Sequence, residues 1–122
     1  MRIIILCLII GFAVGFVVKK DLLRRKSVYM VIDIKIKDMN LYSEYIARAP
    51  EIIKKYGGRY LARGGKITSI AGNWNPERVI IVEFDSKQKM QECFNSQEYL
   101  EIAPLREEST IGKAIVVEGY AD

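Results

Sequence analysis

The stretch 56–65, Tyr-Gly-Gly-Arg-Tyr-Leu-Ala-Arg-Gly-Gly, constrains the fold of this 122-residue chain more than any other. Gly57-Gly58 can end a helix, because glycine enters the left-handed conformation without a Cβ clash. Residues 59–63 then alternate as a short strand does, and Gly64-Gly65 ends that strand with two flexible residues. The stretch therefore predicts a helix-to-strand joint, followed by a strand tip with room for a ligand or another backbone.

The charge of the chain is unevenly distributed. Its formal net charge is +4, but residues 1–27 contain six basic residues and only one acidic residue. The remaining thirteen basic and fourteen acidic residues give residues 28–122 a charge of −1. A nearly neutral domain lacks the basic surface that non-specific nucleic-acid binding requires, so we expect no nucleic-acid partner.

The residue inventory also restricts the chemistry. The chain contains no histidine, which excludes a histidine-ligated zinc site, a Ser-His-Asp triad and a Cys-His pair. Its two cysteines, Cys7 and Cys93, lack metal-ligand spacing, and Cys93 lies on an apolar helical stripe typical of a packed core thiol. We therefore expect neither a bound metal nor a cofactor.

Residues 3–18 form an unbroken run of sixteen apolar or glycine residues with basic flanks. As a helix this run would extend about 24 Å, slightly less than the bilayer core of ~30 Å. No Ala-x-Ala site follows it, which disfavours a cleaved signal peptide. We expect residues 1–27 to be a leader with a single-pass anchor in the inner membrane, and the basic residues after the run to keep the following domain in the cytoplasm. The alternative is a start codon assigned too far upstream, which would leave a soluble cytoplasmic protein.

Residues 28–119 are expected to form one domain, followed by the tail 120–122. Apolar alternation predicts four strands in this part of the chain, near 28–37, 59–63, 79–84 and 113–118.

Helices are predicted between these strands. Asp38 or Asn40 can cap the first, and Ser86 and Ser96 can cap two more before the last strand. Pro50 lacks a backbone donor, so we expect a kink or a break into two short helices there. The inward-facing residues of the last helix are expected to be Tyr99, Leu100, Ala103 and Leu105, with Pro104 disturbing it.

The order strand, helix, strand, strand, helix, strand predicts an α+β fold, in which a four-stranded antiparallel sheet carries the helices on one face. Its other face would be too apolar and aromatic to remain in water. A homodimer in which two such sheets face each other would cover it, and a symmetric pair is the commonest oligomer.

From Tyr29 onward the motifs resemble those of a small bacterial family of uncharacterised function. The matching residues are Asp33, Tyr42-x-x-Tyr45, Pro50, the segment 55–65, Gly72-x-Trp74-x-Pro76-Glu77-Arg78, Glu83-Phe84-x-Ser86, Ser96-x-Glu98-Tyr99, Leu105-Arg106 and Val117-Glu118-Gly119. Members of that family are dimeric α+β barrels of ferredoxin-like βαββαβ topology, so the resemblance implies this fold and a homodimer. It implies no activity, and the hydrophobic leader departs from the family pattern, which begins near the first strand.

A candidate site follows from strand alternation. Asp33, Glu83 and either Arg59 or Arg63 are expected to form a polar set on the sheet face away from the helices. Strand alternation cannot choose between the two arginines, because it puts both on one face of their strand. Charged residues inside a dimer need partners, so we predict that Arg63 pairs with Asp33 or Glu83. Beside Gly64, Arg63 can hold a substrate carboxylate by two hydrogen bonds, with Asp33 and Glu83 as the catalytic groups. The alternative is a structural network of ion pairs.

Further ligand-binding candidates lie in a loop and in the last helix. Trp74 and Arg78 are expected to fold over a strand end, where they can stack on each other at a pocket rim. Tyr99 and Arg106 are expected to reach the same pocket from the last helix. The alternatives are a tryptophan packed under its own turn and a core tyrosine.

Two classes of function remain open. In the first, the domain is a metal-free enzyme acting on a small organic molecule such as a carboxylate, as some dimeric barrels of this topology are. Asp33, Glu83 or a tyrosine would then transfer protons, and Arg63 would stabilise an anion. In the second, it is a non-catalytic ligand-binding or structural dimer at the membrane. A cavity that contains Arg63, Trp74 and Glu83 together would favour a ligand site.

Overall fold

The computed structural model describes residues 26–120, and the predicted membrane segment 3–18 and the last two residues lie outside that range. The elements along the chain are β1 (Val28–Ile36), α1 (Met39–Lys55), β2 (Arg59–Arg63), β3 (Arg78–Phe84), α2 (Lys87–Phe94), α3 (Gln97–Ser109) and β4 (Thr110–Glu118). Each predicted strand and each predicted helix is present, although β4 begins three residues earlier than expected. None of the helices within residues 26–120 has the length and apolar character needed to cross a membrane.

The four strands form one antiparallel sheet in the order β2-β3-β1-β4. Ile32 of β1 is paired with Ile80 of β3 and with Ala114 of β4, so these three side chains point to the same side of the sheet. We call it the helix-facing side, because its buried residues form one core cluster with residues of the three helices. The opposite side, with Asp33 and Ile115, is called the open face. The predicted α+β architecture is confirmed.

Local hydrogen bonds set the ends of α1. The side chain of Asp38 accepts from the backbone N–H of Leu41 at 3.0 Å, as expected of an N-cap. At the other end, Gly58 N–H donates to Ile53 O at 2.9 Å and Gly57 N–H donates to Lys54 O at 3.0 Å. This is the Schellman arrangement, and Gly57 supplies the positive φ of 84° that it needs. The predicted stop at Gly57-Gly58 is confirmed.

Gly58 also fixes how closely the joint packs on the sheet. A Cβ at this position would lie 2.5 Å from Ile53 Cγ2 and 2.9 Å from the ring of Phe84. Neither neighbour can retreat easily, because both are buried in the core. The joint therefore holds the last turn of α1 against β3 at a distance that only glycine permits.

The expected break at Pro50 is absent, and α1 continues through it. Proline in a helix interior costs about 3 kcal/mol, because it removes one hydrogen bond and crowds the preceding turn. The apolar face of α1 offsets this cost, since its residues are buried on both sides of the proline: Tyr42, Tyr45, Ala49, Ile52 and Ile53. Helix α3 likewise continues through Pro104.

The core side of α3 differs from the expectation at one position. Tyr99, Ile102 and Ala103 are buried, whereas Leu100, which was expected to face inward, is 53% exposed. The buried spacing i, i+3, i+4 leaves Leu100 on the flank of the helix. Cys93 on α2 is fully buried, and burial raises the pKa of its thiol to about 11, so the predicted core thiol is confirmed.

Candidate ligand site

A bulge in β2 separates its two arginines. Arg59 is paired with Glu83, whereas Arg63 is paired with Ile80, because the register shifts by one residue within 60–62. Ile80 lies on the helix-facing side and Glu83 lies on the open face. One extra residue reverses the side-chain alternation beyond it. Arg59 therefore lies on the open face and Arg63 on the helix-facing side, although the sequence predicted one face for both.

The predicted ion pair of Arg63 with Glu83 or Asp33 is wrong, because the bulge turns Arg63 away from both. Arg59 takes the place beside Glu83: its Nη2 and Nε donate to Glu83 Oε1 at 2.8 and 2.9 Å. Nη2 also donates to Asp85 Oδ1 at 3.0 Å. The hydrogen bonds from Arg59 hold the pKa of the Glu83 carboxyl below its ordinary value of 4.5. This cluster holds β2 against β3 on the open face.

Asp33, the other predicted catalytic carboxylate, also lies on the open face. Its Oδ2 accepts a hydrogen bond from the indole Nε1–H of Trp74 at 2.8 Å. Asp33 is paired with Val79, which is four residues from Glu83 along β3, so the backbone positions of the two acids are about 13 Å apart along the strand. At that separation Asp33 and Glu83 cannot act on the same bond, and the predicted catalytic pair is not formed.

Trp74 and Arg78 do not form the predicted stacked pair. Arg78 lies on the other side of the sheet, where its Nε donates to the Tyr42 hydroxyl at 3.3 Å and its guanidinium lies 5.6 Å from the Tyr42 ring centroid. A Cβ on Gly64, which has φ 68°, would collide with the same guanidinium. Arg78 therefore fills the space beside Gly64 that was predicted to receive a ligand.

The side chains that do come together surround a cavity of about 460 Å³ between the helix-facing side and helices α1 and α3. Three of the predicted ligand-binding residues contribute to its wall: Arg63, Tyr99 and Arg106. The rest of the wall is mainly apolar. Its aliphatic side chains come from the sheet and from helices α1 and α3, among them Met30, Ile32, Ala49, Ile53 and Ala103. Neither Trp74 nor Glu83 is part of it, so this cavity does not join Arg63, Trp74 and Glu83, the arrangement that would have favoured a ligand site on the open face.

The cavity has an apolar entrance. Ile46 on α1 and Leu100 on α3 both belong to its wall, and both are partly in solvent, with 39% and 53% of their surface exposed. Two exposed branched aliphatic side chains on neighbouring helices would offer an apolar molecule its first contact. Leu100, on the flank of α3, thus lies both at the cavity wall and in solvent.

Two tyrosine hydroxyls meet inside the core at the cavity wall. The hydroxyl oxygens of Tyr45 on α1 and Tyr99 on α3 are 2.8 Å apart, and their rings are edge to face. Burial raises the pKa of Tyr45 strongly, Tyr99 adds to the rise, and the charge of Arg106 opposes it. Each hydroxyl has one hydrogen, so the hydrogen bond between them uses one and leaves the other to donate elsewhere.

Arg106 and Arg63 bring positive charge to the same wall. The Nε of Arg106 is buried and has no hydrogen-bond acceptor within residues 26–120, while its Nη2 lies 3.8 Å from Glu107 Oε1. The guanidinium of Arg63 lies over the ring of Tyr60, 4.6 Å from its centroid. Among residues 26–120, Glu107 is the one acidic residue of the wall, so two cations and one anion give this part of the wall a positive charge.

Sequence reasoning missed the aromatic half of this site. Tyr42, Tyr45 and Tyr60 all contribute to the wall, yet only Tyr99 was named as a ligand-binding candidate. The available signal was the presence of tyrosines at core-facing positions of α1, where a hydroxyl needs a partner. That signal shows that buried hydroxyls must be paired, but not that they border a cavity.

Comparison with known proteins places the chain in a family. Residues 27–120 match the family model described as "Domain of unknown function (DUF1330)". The chain is a member of the DUF1330 family. No curated protein matches its sequence.

Solved structures resemble this DUF1330 chain in fold. A protein of unknown function from Rhodopseudomonas palustris aligns with a TM-score of 0.68 and 15% identity over 81% of this chain and 86% of that one. SnoaB from Streptomyces nogalater, described as a cofactor-independent oxygenase, aligns with a TM-score of 0.56 and 8% identity over 80% and 96%. A protein from Thermobifida fusca, described as dimeric and ferredoxin-like, aligns with a TM-score of 0.54 and 11% identity over 80% and 92%. At such low identities these structural alignments show a ferredoxin-like fold, and they show no activity.

Proposed function

We propose that this DUF1330 chain binds a small, mainly apolar organic molecule in the cavity between its sheet and helices α1 and α3. The observation that carries the proposal is the cavity itself, about 460 Å³ beside the hydrophobic core. Natural pockets for small molecules have this size, apolar walls and a few convergent polar groups. Here the polar groups are Arg63, Arg106 and the Tyr45–Tyr99 pair.

Two forms of this function differ in whether a reaction follows binding. In the catalytic form the chain is a metal-free enzyme, which the shared fold with SnoaB supports by analogy alone. Of the acid–base groups that the sequence suggested, only a tyrosine lies in the cavity wall, because Asp33 and Glu83 do not reach it. In the non-catalytic form the domain only holds its ligand. Chromatography with mass spectrometry of a compound captured from cell extract distinguishes them, because only the catalytic form converts that compound into a product of different mass or retention time.

The proposal includes a homodimer. The open face presents Ile111, Ile115 and Val117 of β4 to solvent, with about half or more of each side chain exposed. Lys113 interrupts this row on the same face, but several large apolar side chains exposed on one sheet surface are typical of an interface. The T. fusca protein of the same fold is described as dimeric, and a second copy of this chain would cover the face in the way that the fold allows.

The proposal also places the domain on the cytoplasmic side of the inner membrane. It is supported by the apolar run 3–18 and by the basic residues that follow it in the sequence. Carbonate extraction of membranes from cells that express the full chain tests this location. Retention in the membrane pellet is expected, and complete release into the supernatant would overturn the anchor without affecting the cavity.

Binding to the cavity is tested with N-phenyl-1-naphthylamine, a neutral probe that fluoresces in apolar sites. The full chain and its variants are purified in the same detergent, so that partition of the probe into micelles is equal for all. The large side chain of Ala103→Trp should fill the cavity and abolish the protein-dependent fluorescence, and the smaller one of Ala103→Leu should reduce it. Ala47→Trp, on the exposed side of α1, is the matched control and should bind as wild type does. Equal fluorescence from all variants would refute the proposal.

A further inference from the structure

Helix α3 presents a polar, a small and a second polar side chain to the cavity, at Tyr99, Ala103 and Arg106. The spacing i, i+4, i+7 places them on one face of the helix, over two turns or about 10 Å. The small side chain of Ala103 lies between the two polar ones and leaves space beside the helix. A molecule lying along α3 would therefore meet a polar group at each end and an apolar floor between them.

The two polar ends carry hydrogen-bond donors that the described chain does not use. At one end, the Nε–H of Arg106 is buried without an acceptor among residues 26–120, while its side chain as a whole is 41% exposed, so its Nη groups are the donors within reach of a ligand. At the other, the Tyr45–Tyr99 pair has one hydroxyl hydrogen left after its internal hydrogen bond. Both are donors, so the complementary ligand carries acceptors at both ends. Burial raises the pKa of Tyr45, so its hydroxyl stays protonated and that end stays a donor.

The two ends differ in charge. Arg106 is a permanent cation, and Arg63 adds a second cation to the wall, against the single carboxylate of Glu107. Glu107 lies 3.8 Å from Arg106 Nη2 and leaves the buried Nε unpaired. A guanidinium favours a planar anion that it can bind through two N–H groups, such as a carboxylate. The tyrosine end carries no charge and favours a neutral oxygen.

We infer that the ligand of this cavity is an apolar organic acid with a second, uncharged acceptor oxygen, such as a ketone, held with its carboxylate at Arg106 and its neutral oxygen at the Tyr45–Tyr99 pair. This inference rests on the proposed function and specifies its ligand class. It assigns Arg106 as the principal anion-binding residue, with Arg63 in support. It assigns Tyr45, which the sequence did not single out, to ligand recognition together with Tyr99.

Three related compounds separate the two ends. The first is 4-benzoylbenzoate, the second is 4-benzoylbenzamide, which lacks the charge, and the third is 4-benzylbenzoate, which lacks the ketone. Each is titrated against N-phenyl-1-naphthylamine bound to the full chain. We expect the first compound to displace the probe at a concentration about ten-fold lower than either of the others, because each loses one strong hydrogen bond.

Substitutions test which residue causes the preference for the acid and which causes the preference for the ketone. Arg106→Met should remove the preference for the acid over the amide and leave displacement by the amide unchanged, while Arg106→Lys should keep part of that preference. Tyr45→Phe combined with Tyr99→Phe should remove the preference for the ketone, because either hydroxyl alone still has a hydrogen to donate. Arg48→Met removes an exposed arginine of α1 that pairs with Glu101 outside the wall, and it should change neither preference.

The outcomes distinguish this inference from the proposed function. If the three compounds displace the probe equally, or if Arg106→Met leaves the acid preference intact, the ligand class is wrong although the cavity binds. If none of them displaces a bound probe, the ligand class is also wrong. If the probe itself does not bind, the proposed function fails first.

Discussion

Tyr45 and Tyr99, which lie on different helices and are separated by 54 positions in the sequence, share a buried hydrogen bond of 2.8 Å between their hydroxyl oxygens. Replacing either by phenylalanine leaves the other hydroxyl buried without its partner. We expect each single change to lower the free energy of unfolding by about 1–2 kcal/mol, and the double change to cost less than the sum. Urea denaturation of the four proteins in this cycle measures the coupling, and strictly additive costs would contradict a paired interaction.

The joint between α1 and β2 should tolerate no side chain at Gly58. Its Cβ would meet Ile53 and Phe84 in the core, so Gly58→Ala is expected to destabilise the chain by about 1–3 kcal/mol. Gly65 offers a matched control, because a Cβ there meets nothing within 4 Å. Thermal unfolding of both variants checks the prediction. A stability loss that is equal at Gly65 and Gly58 would show that close packing is not the cause.

The ion pair of Arg59 with Glu83 should contribute stability only where Glu83 is ionised. The pKa of Glu83 is lowered in the folded chain, so the contribution is present above its ordinary value of 4.5 and is lost as the pH falls through the lower folded value. Arg59 is half exposed, which limits the cost of Arg59→Met at neutral pH to less than about 1 kcal/mol. The difference from wild type in urea midpoint should shrink from about pH 7 to about pH 3. A difference that stays constant over this range would exclude the pair as its source.

The sequence carries the local determinants of this fold and therefore predicts them well. Asp38, Ser86 and Ser96 accept hydrogen bonds from backbone N–H groups three residues later, as capping requires. Gly57 has the left-handed conformation that a helix stop needs. Such contacts connect residues close in sequence, so the residue types themselves specify them.

The candidate site depends on features that the sequence does not carry. Leu61 is the bulge residue of β2, and the sequence of β2 alternates as that of a regular strand does. Only the pairing with β3 shows that Arg59 and Arg63 lie on opposite faces of the sheet. The cavity is the space left after α1 and α3 pack on the sheet, and no local pattern of residues encodes an unfilled volume. The sequence could thus name Arg63, Tyr99 and Arg106 while predicting the wrong face of the sheet for the site.

The homodimer is tested at the open face. Ile115 of β4 is 63% exposed and points away from the helices, so Ile115→Lys should place a charge within the proposed interface and raise the dissociation constant of the dimer. Met39→Lys is the control, because Met39 is similarly exposed at the start of α1 and lies outside the sheet. Analytical ultracentrifugation of the full chain measures both. A wild-type protein that sediments as a monomer at every concentration would refute the dimer.

The position of the bound molecule is measured most directly by photolabelling. The ketone of 4-benzoylbenzoate inserts into nearby C–H bonds under ultraviolet light, and mass spectrometry then locates the adduct in the full chain. We predict adducts on residues of the cavity wall in α1 and α3, near Ile46, Leu100 and Ala103, and their loss in Ala103→Trp. Adducts confined to the loop 64–77 or to the open face of β4, and unaffected by Ala103→Trp, would contradict a ligand site between the sheet and the helices.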